Sequence, residues 1–249
     1  GQIFARSGYR VRFADLDQTV VNRLQRHRGY RVVSLAPNET SHTVWIDGID
    51  AIHLSERAEI TSSLARTRLI ATSVGARAFP SVLSTVAELL PPGRTLPEYD
   101  VIAAENIHAP RTIARRLFGE SHPAIHACSV GKMVPVQTPS PSGPLEVRAE
   151  VFNTLYVDGT DWRSVFPKQV AWLVPVDDIH AWMERKLFIH NMGHSTTAWI
   201  ARAIDPTVRT IAEAIRVAPI QALARDTMNA TADILAQAHP DAYTARELS

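Results

Sequence analysis

Two short apolar runs, Leu69–Val74 and Tyr99–Ala104, constrain this chain more than any other feature. Runs of this length and apolarity suit strands buried on both faces of a parallel sheet. Between them Phe79–Leu90 carries a helical pattern, and Pro91–Pro92–Gly93 ends it. Strand, helix, strand in that order implies a right-handed crossover and a doubly wound sheet.

The same alternation begins upstream. Tyr9–Asp15 alternates as a strand does, and Gln18–Leu24 is helical with Asp17 placed as its N-cap. Tyr30–Leu35 and Thr43–Ile46, rich in β-branched and aromatic residues, predict a short antiparallel excursion, and Glu56–Thr67 a further helix. Beyond Phe118 the texture changes. Val134–Gln137 and Leu145–Val157 look extended, on either side of the turn-rich stretch Thr138–Pro144. From Val176 onward the patterns are helical, punctuated by Pro206, Pro219 and Pro240. The expected organisation is an α/β domain with a doubly wound, mostly parallel sheet over residues 1–175, then an all-helical domain over 176–249.

Charge excludes some functions. With 26 basic and 25 acidic side chains among 249 residues, the chain has no electrostatic footprint for nucleic acid or an anionic membrane. Arg57, Arg66 and Arg68, and likewise Arg111, Arg115 and Arg116, suit solvated faces. No apolar run approaches the ~20 residues a membrane-spanning helix needs, and the start is not a signal peptide. A lone cysteine, Cys128, permits no internal disulfide; a small buried thiol in a reduced, cytoplasmic setting is expected.

The richest segment runs from Trp182 to His194. On an α-helical wheel with Lys186 at zero, His190 falls near ~40°, His194 near ~80° and Asn191 near ~140°. Trp182, Phe188, Ile189, Met192, Trp199 and Ile200 fall in the complementary arc and are expected to pack as core. The polar stripe suits a solvated face as well as a site. His190 and His194 stand four apart, as zinc ligands can, but Asn191 follows His190 where the zinc-protease pattern has Glu, so no metal is expected.

Lys-x-x-x-x-Asn-x-x-His at Lys186, Asn191 and His194 resembles the signature of the long-chain polyol (mannitol) dehydrogenases. Phe13–Gln18, Thr72–Gly75 and Ala104–Ile107 resemble three further segments of that family in the right order, with its mannitol-1-phosphate 5-dehydrogenase branch a close likeness. The resemblance implies a Rossmann-like fold and hydride transfer between NAD and a sugar alcohol. Mannitol 1-phosphate and fructose 6-phosphate are the expected pair. An unphosphorylated polyol or sugar acid, and a catalytically idle binding protein on the same fold, remain open.

It also implies roles. Lys186 would manage the proton without a metal, for which its pKa must fall below the ordinary ~10.4. Asn191 and Asn106 would donate to the developing alkoxide, and His194 would orient a substrate hydroxyl. Asp15 would bind the adenosine ribose and disfavour a 2′-phosphate. Thr72 and Gly75 would let the cofactor approach closely. Glu105 belongs with these cofactor residues, with a packing or ion-pair role and a proton-relay role both open. Lys132 stands where the family commonly has arginine in an Asp-Arg-Ile-Val-Pro run; it keeps the positive charge and is the expected phosphate contact. No Gly-x-Gly-x-x-Gly fingerprint is present, and Gly1–Gly8 resembles the helix that follows it. A chain that begins just after its phosphate-binding loop, and stops before the family's last helices, is therefore expected. The partners implied are small molecules; oligomeric state is left undetermined.

Overall fold

The computed structural model describes residues 1–35, 42–135, 137 and 142–248. Val136 of the expected extended run and Thr138–Pro141 of the turn-rich stretch lie outside them. The chain divides into two units, Gly1–Pro175 and Val176–Ser249.

In the first unit a short helix α1 (Gln2–Ala5) leads into β1 (Val11–Asp15) and α2 (Gln18–His27). Asp17 caps α2 as its sequence position predicts: Oδ1 accepts from the backbone N–H groups of Thr19 at 2.8 Å and Val20 at 3.3 Å. The helix runs a turn past Leu24, the end expected from sequence. Arg26 and His27 lie in its last turn, where cations suit the helix dipole, and Arg28 closes it in the left-handed conformation at φ 54°. Next come β2 (Tyr30–Leu35), β3 (His42–Ile46) and β4 (Ile49–His53). β2 and β3 are antiparallel, β1 and β4 parallel. Val21 and Leu24 of α2 pack into a core with Tyr30, Val32, Ile46, Ile49 and Ala51.

The doubly wound part follows: α3 (Arg57–Arg66), β5 (Leu69–Thr72), α4 (Phe79–Glu88), β6 (Asp100–Ala103), α5 (Pro110–Phe118) and β7 (Ala124–Val130). β5, β6 and β7 are parallel neighbours. The period-two geometry of β6 serves both faces of the sheet. Val101 and Ala103 pack with Phe79, Leu83, Ala114 and Ile125, whereas Ile102 packs with Cys128, Val157, Val170 and Leu173. Cys128 is the buried thiol expected, its pKa raised by burial and by the nearby Asp158. β8 (Leu145–Glu150) pairs in parallel with β2, β9 (Leu155–Asp158) pairs antiparallel with β7, and β10 (Leu173–Val176) completes a sheet ordered β10-β9-β7-β6-β5.

One expectation about β5 fails. Leu69 and Ile70 are half-buried and Ala71 is exposed, because β5 ends the five-stranded sheet instead of lying inside it. It also stops at Thr72 and not at Val74, for a reason that lies in the site.

A buried polar clasp fastens the segment after β9 to β6. Asp100 and His126 are both fully buried, with His126 Nε2 2.9 Å from Asp100 Oδ1. An ionised carboxylate only accepts, so Nε2 carries the proton. Arg163 N–H, Ser164 N–H and Ser164 Oγ donate to the same carboxylate at 2.9, 2.8 and 2.5 Å. Trp162 stacks on the imidazole with ring centroids 3.9 Å apart.

The second unit is helical: α6 (Ile179–Arg185), a π-helical turn (Lys186–Asn191), α7 (Met192–Ile204), α8 (Ile211–Ala214), α9 (Ala218–Ala238) and α10 (Ala245–Leu248). Asp178 caps α6 through His180 and Ala181. The prolines act as expected: Pro206 follows α7, Pro219 sits in the first turn of α9 and Pro240 lies just beyond it. Gly193 permits the approach of α9 to α7, since a Cβ there would stand 2.5 Å from Met228 Sδ. No helix among the described residues is long and apolar enough to cross a membrane.

Candidate active site

The decisive local feature is the π turn. Each α-helical N–H bonds four residues back, but Met192 N–H reaches Leu187 O, five back. In such a turn residues five apart come to roughly the same side. Lys186 and Asn191, placed ~140° apart by the uninterrupted wheel, are therefore brought towards one face. His194, three residues beyond Asn191 on α7, is its neighbour on the helix surface. The imidazoles of His190 and His194 meet edge to face, centroids 4.8 Å apart.

The same shift corrects the apolar stripe. Trp182 is 6% exposed and Trp199 77% exposed, and Phe188 is 43% exposed. Residues after the π turn are rotated relative to those before it, so Trp182 and Trp199 do not share the one buried face that a 100° repeat projects.

Lys186 is half-buried, and that burial lowers its pKa from 10.5, the direction base chemistry requires. Its helix is held by contacts that sequence reading did not find. His239 Nε2 lies 2.7 Å from Glu184 Oε2 and Nδ1 lies 3.7 Å from Asp178 Oδ2, tying the end of α9 to α6. Tyr243 OH donates to Ala181 O. These partners are more than fifty residues apart in sequence, and no local pattern joins them.

In the first unit the remaining expected residues follow the carboxyl ends of parallel strands, where open α/β sheets bind ligands. Asp15 ends β1 opposite His53 of β4, and its Oδ1 accepts from Asp17 N–H at 2.9 Å. His53, another residue sequence reading missed, bridges Leu16 O and Ser55 Oγ at 2.9 and 2.7 Å. Leu16 beside Asp15 is 74% exposed.

Thr72 ends β5 in register with Ala103. Its hydroxyl is buried and, among the described residues, has no hydrogen-bond partner. Gly75 adopts φ +84°, open to glycine at no steric cost. Glu105, 5% exposed just past β6, closes the group: Oε1 accepts from Val74 N–H and Oε2 from Gly75 N–H, each at 2.8 Å. These bonds draw Val74 and Gly75 out of the strand and end β5 at Thr72. Glu105 thus grips the loop through these two bonds. Asn106, next in the chain, is exposed.

Lys132 follows β7 in the first unit. Its ammonium donates to Glu150 O at 2.8 Å, Phe152 O at 3.0 Å and Asn153 Oδ1 at 2.6 Å. An ammonium has three N–H donors, so these three acceptors engage the whole donor set of the residue expected to contact phosphate. The arginine groups likewise meet acids or hydroxyls, as in Arg57–Glu88, Arg68–Glu98 and Arg111–Asp158. Among the described residues no three His, Cys, Asp or Glu side chains are grouped to hold a metal.

A parallel sheet flanked by helices, with polar groups at its strand ends, defines a Rossmann-type domain joined to a helical region. The sequence profile of the mannitol dehydrogenase Rossmann domain matches residues 1–168, and the chain belongs to the mannitol dehydrogenase family. The fold is similar to that of a D-sorbitol dehydrogenase solved without substrate (TM-score 0.76, 14% identity, covering 92% of this chain and 62% of that one). It is also similar to mannitol 2-dehydrogenase of Pseudomonas fluorescens in ternary complex with NAD and D-mannitol (TM-score 0.68, 13% identity, 86% and 56%). A D-mandelate dehydrogenase with NADH and anilino(oxo)acetate gives TM-score 0.56 at 16% identity, over 100% of this chain and 72% of that one. The chain thus spans 62% and 56% of the length of the two polyol dehydrogenases.

Proposed function

We propose that this chain serves an NAD-dependent polyol dehydrogenase, the π turn that gathers Lys186, Asn191 and His194 being the observation that carries the reading. The residues suit the cofactor. Asp15 offers a carboxylate acceptor for ribose hydroxyls, and Thr72 a buried hydroxyl whose hydrogen-bonding capacity is unmet among the described residues. Gly75 adds open space, with nothing within 4 Å of where a Cβ would stand.

NAD held by Asp15 and Thr72 would supply the hydride-accepting chemistry. Lys186, as the neutral amine, takes the hydroxyl proton as the C–H electron pair departs and the C=O bond forms. The reverse reaction returns that proton from the ammonium. Asn191 donates its amide N–H to the oxygen as negative charge develops there, and His194 orients a neighbouring hydroxyl.

A free polyol suits the described residues better than mannitol 1-phosphate, because Lys132 is engaged by three acceptors. The names of the structurally similar sorbitol and mannitol 2-dehydrogenases point the same way. The test is NADH consumption by the full-length gene product with fructose or with fructose 6-phosphate. Turnover with fructose supports the reading; turnover with the phosphate alone reverses the substrate choice. No turnover with either, in a protein that binds NADH, sinks the polyol assignment.

A further inference from the structure

The loop after β5 points two consecutive backbone N–H groups, those of Val74 and Gly75, at one spot. Successive N–H groups converging in this way form a cradle for an anion. In this protein the cradle is already filled from within: Glu105 places one carboxylate oxygen on each N–H at 2.8 Å, from thirty residues away. The carboxylate is buried, so the grip is shielded from competing water. The same loop begins at Thr72, whose buried hydroxyl has no partner among the described residues, and Ala104 N–H bonds to Thr72 O at 3.1 Å, locking the strand end to β6.

We propose that Glu105 is a positioning residue which pre-fills this anion cradle, so that the Thr72–Gly75 loop receives an uncharged, hydroxyl-bearing part of the dinucleotide and rejects its phosphates. The inference rests on the dehydrogenase reading for the identity of the ligand. The physical reason is charge. A phosphate at this loop would meet an internal carboxylate instead of two unsatisfied donors, and like charges at short range in a buried setting are strongly disfavoured. Gly75 is spent, its N–H on Glu105 and its carbonyl on the N–H groups of Ala78 and Phe79, so the group left to a ligand is the Thr72 hydroxyl, which complements a ribose hydroxyl or a carboxamide. Removing the carboxylate would release two N–H groups and let the loop close differently.

The experiment uses the full-length gene product with Glu105→Ala and the near-isosteric Glu105→Gln, titrated with NADH by fluorescence. Amide hydrogen exchange of Val74 and Gly75 is followed without cofactor. Glu105→Ala is expected to speed exchange at both amides and to weaken NADH binding about tenfold, as loss of paired charge-assisted hydrogen bonds would do. Formate at tens of millimolar, able to enter the vacated cradle, should recover both exchange protection and affinity. Glu105→Gln, which keeps one acceptor, should fall between.

Unchanged exchange at Val74 and Gly75 overturns the clamp. So does unchanged NADH affinity in a variant with faster exchange. A fall in kcat with a displaced pH profile and intact NADH affinity would make Glu105 a proton relay and also overturn the proposal. A parent protein that binds no NADH overturns the dehydrogenase reading instead, and exchange with formate rescue then decides the clamp alone.

Discussion

Lys186 and Asn191 stand at the two ends of one π-helical turn, and their five-residue spacing aligns them only because that turn is π and not α. A π turn is in effect a one-residue insertion into an α-helix. Deleting exposed Leu187 should therefore restore α geometry and leave Lys186 four residues from Asn191, still on one face. Turnover should be retained within about tenfold. Inserting one alanine after Asn191 has no such escape: it rotates His194 by ~100° and should cost about a hundredfold or more. Steady-state kinetics of the two variants, with circular dichroism to confirm helix content, checks the pair. Equal damage from both would remove the π turn from the account.

Lys186 sets a direction for pH dependence. Burial lowers its pKa from 10.5, which enlarges the neutral fraction at any given pH. Alcohol oxidation needs that neutral amine, so its rate should rise with pH and level off below pH 10.5. Ketone reduction needs the ammonium and should fall across the same interval. Lys186→Arg keeps the charge but cannot lose its proton; kcat should drop by about a hundredfold or more and the titration should disappear. A profile unchanged in Lys186→Arg would assign the proton to another group.

Much of this architecture is legible in the sequence because it is encoded locally. Leu69–Thr72 and Asp100–Ala103 are strands since short apolar runs have few alternatives, and Asp17 caps α2 since its carboxylate reaches N–H groups two and three residues on. The site is less legible. A wheel at 100° per residue cannot reveal a π turn, so it set Lys186 and Asn191 apart and promised a buried Trp199 that is 77% exposed. Glu105 is fixed by N–H groups thirty residues away, and Lys132 by carbonyls eighteen and twenty residues away, which no local pattern records. The clasp of Asp100, His126 and Ser164 is hidden for the same reason.

That clasp should make the first unit acid-sensitive in a defined window. Burial by itself would raise the Asp100 pKa, but hydrogen bonds from His126, from Ser164 and from the N–H groups of Arg163 and Ser164 outweigh it and hold the pKa at about 2, below the ordinary 3.8. A carboxylate depressed on folding contributes stability that is fully present above pH 3.8 and is lost as pH falls through about 2. The contribution at stake is roughly 2 kcal/mol. Chemical denaturation between pH 5 and 2, an interval chosen to span about one unit beyond the upper pKa, should show this decline. Asp100→Asn should be less stable at neutral pH and flatter over the acid range. Parallel curves for parent and variant would mean that Asp100 is not the titrating group.

Lys132 separates a structural cation from a substrate-binding one. Its ammonium joins Glu150 O, Phe152 O and Asn153 Oδ1, and burial lowers its pKa while Glu150 opposes the shift. Lys132→Met keeps the aliphatic stem and removes all three bonds, leaving two backbone carbonyls and an amide oxygen without their donor. The loss should be about 1–3 kcal/mol of stability, read as a lower denaturation midpoint. Substrate choice should not respond: the ratio of kcat/KM for fructose 6-phosphate to that for fructose should stay within about twofold of the parent's. A phosphate contact would behave in the opposite way, with that ratio falling about tenfold or more, since a charge-assisted bond to phosphate is made by one substrate and not the other. Measuring both quantities on one preparation tells a weakened fold from an altered specificity, and only the second would return Lys132 to the substrate site.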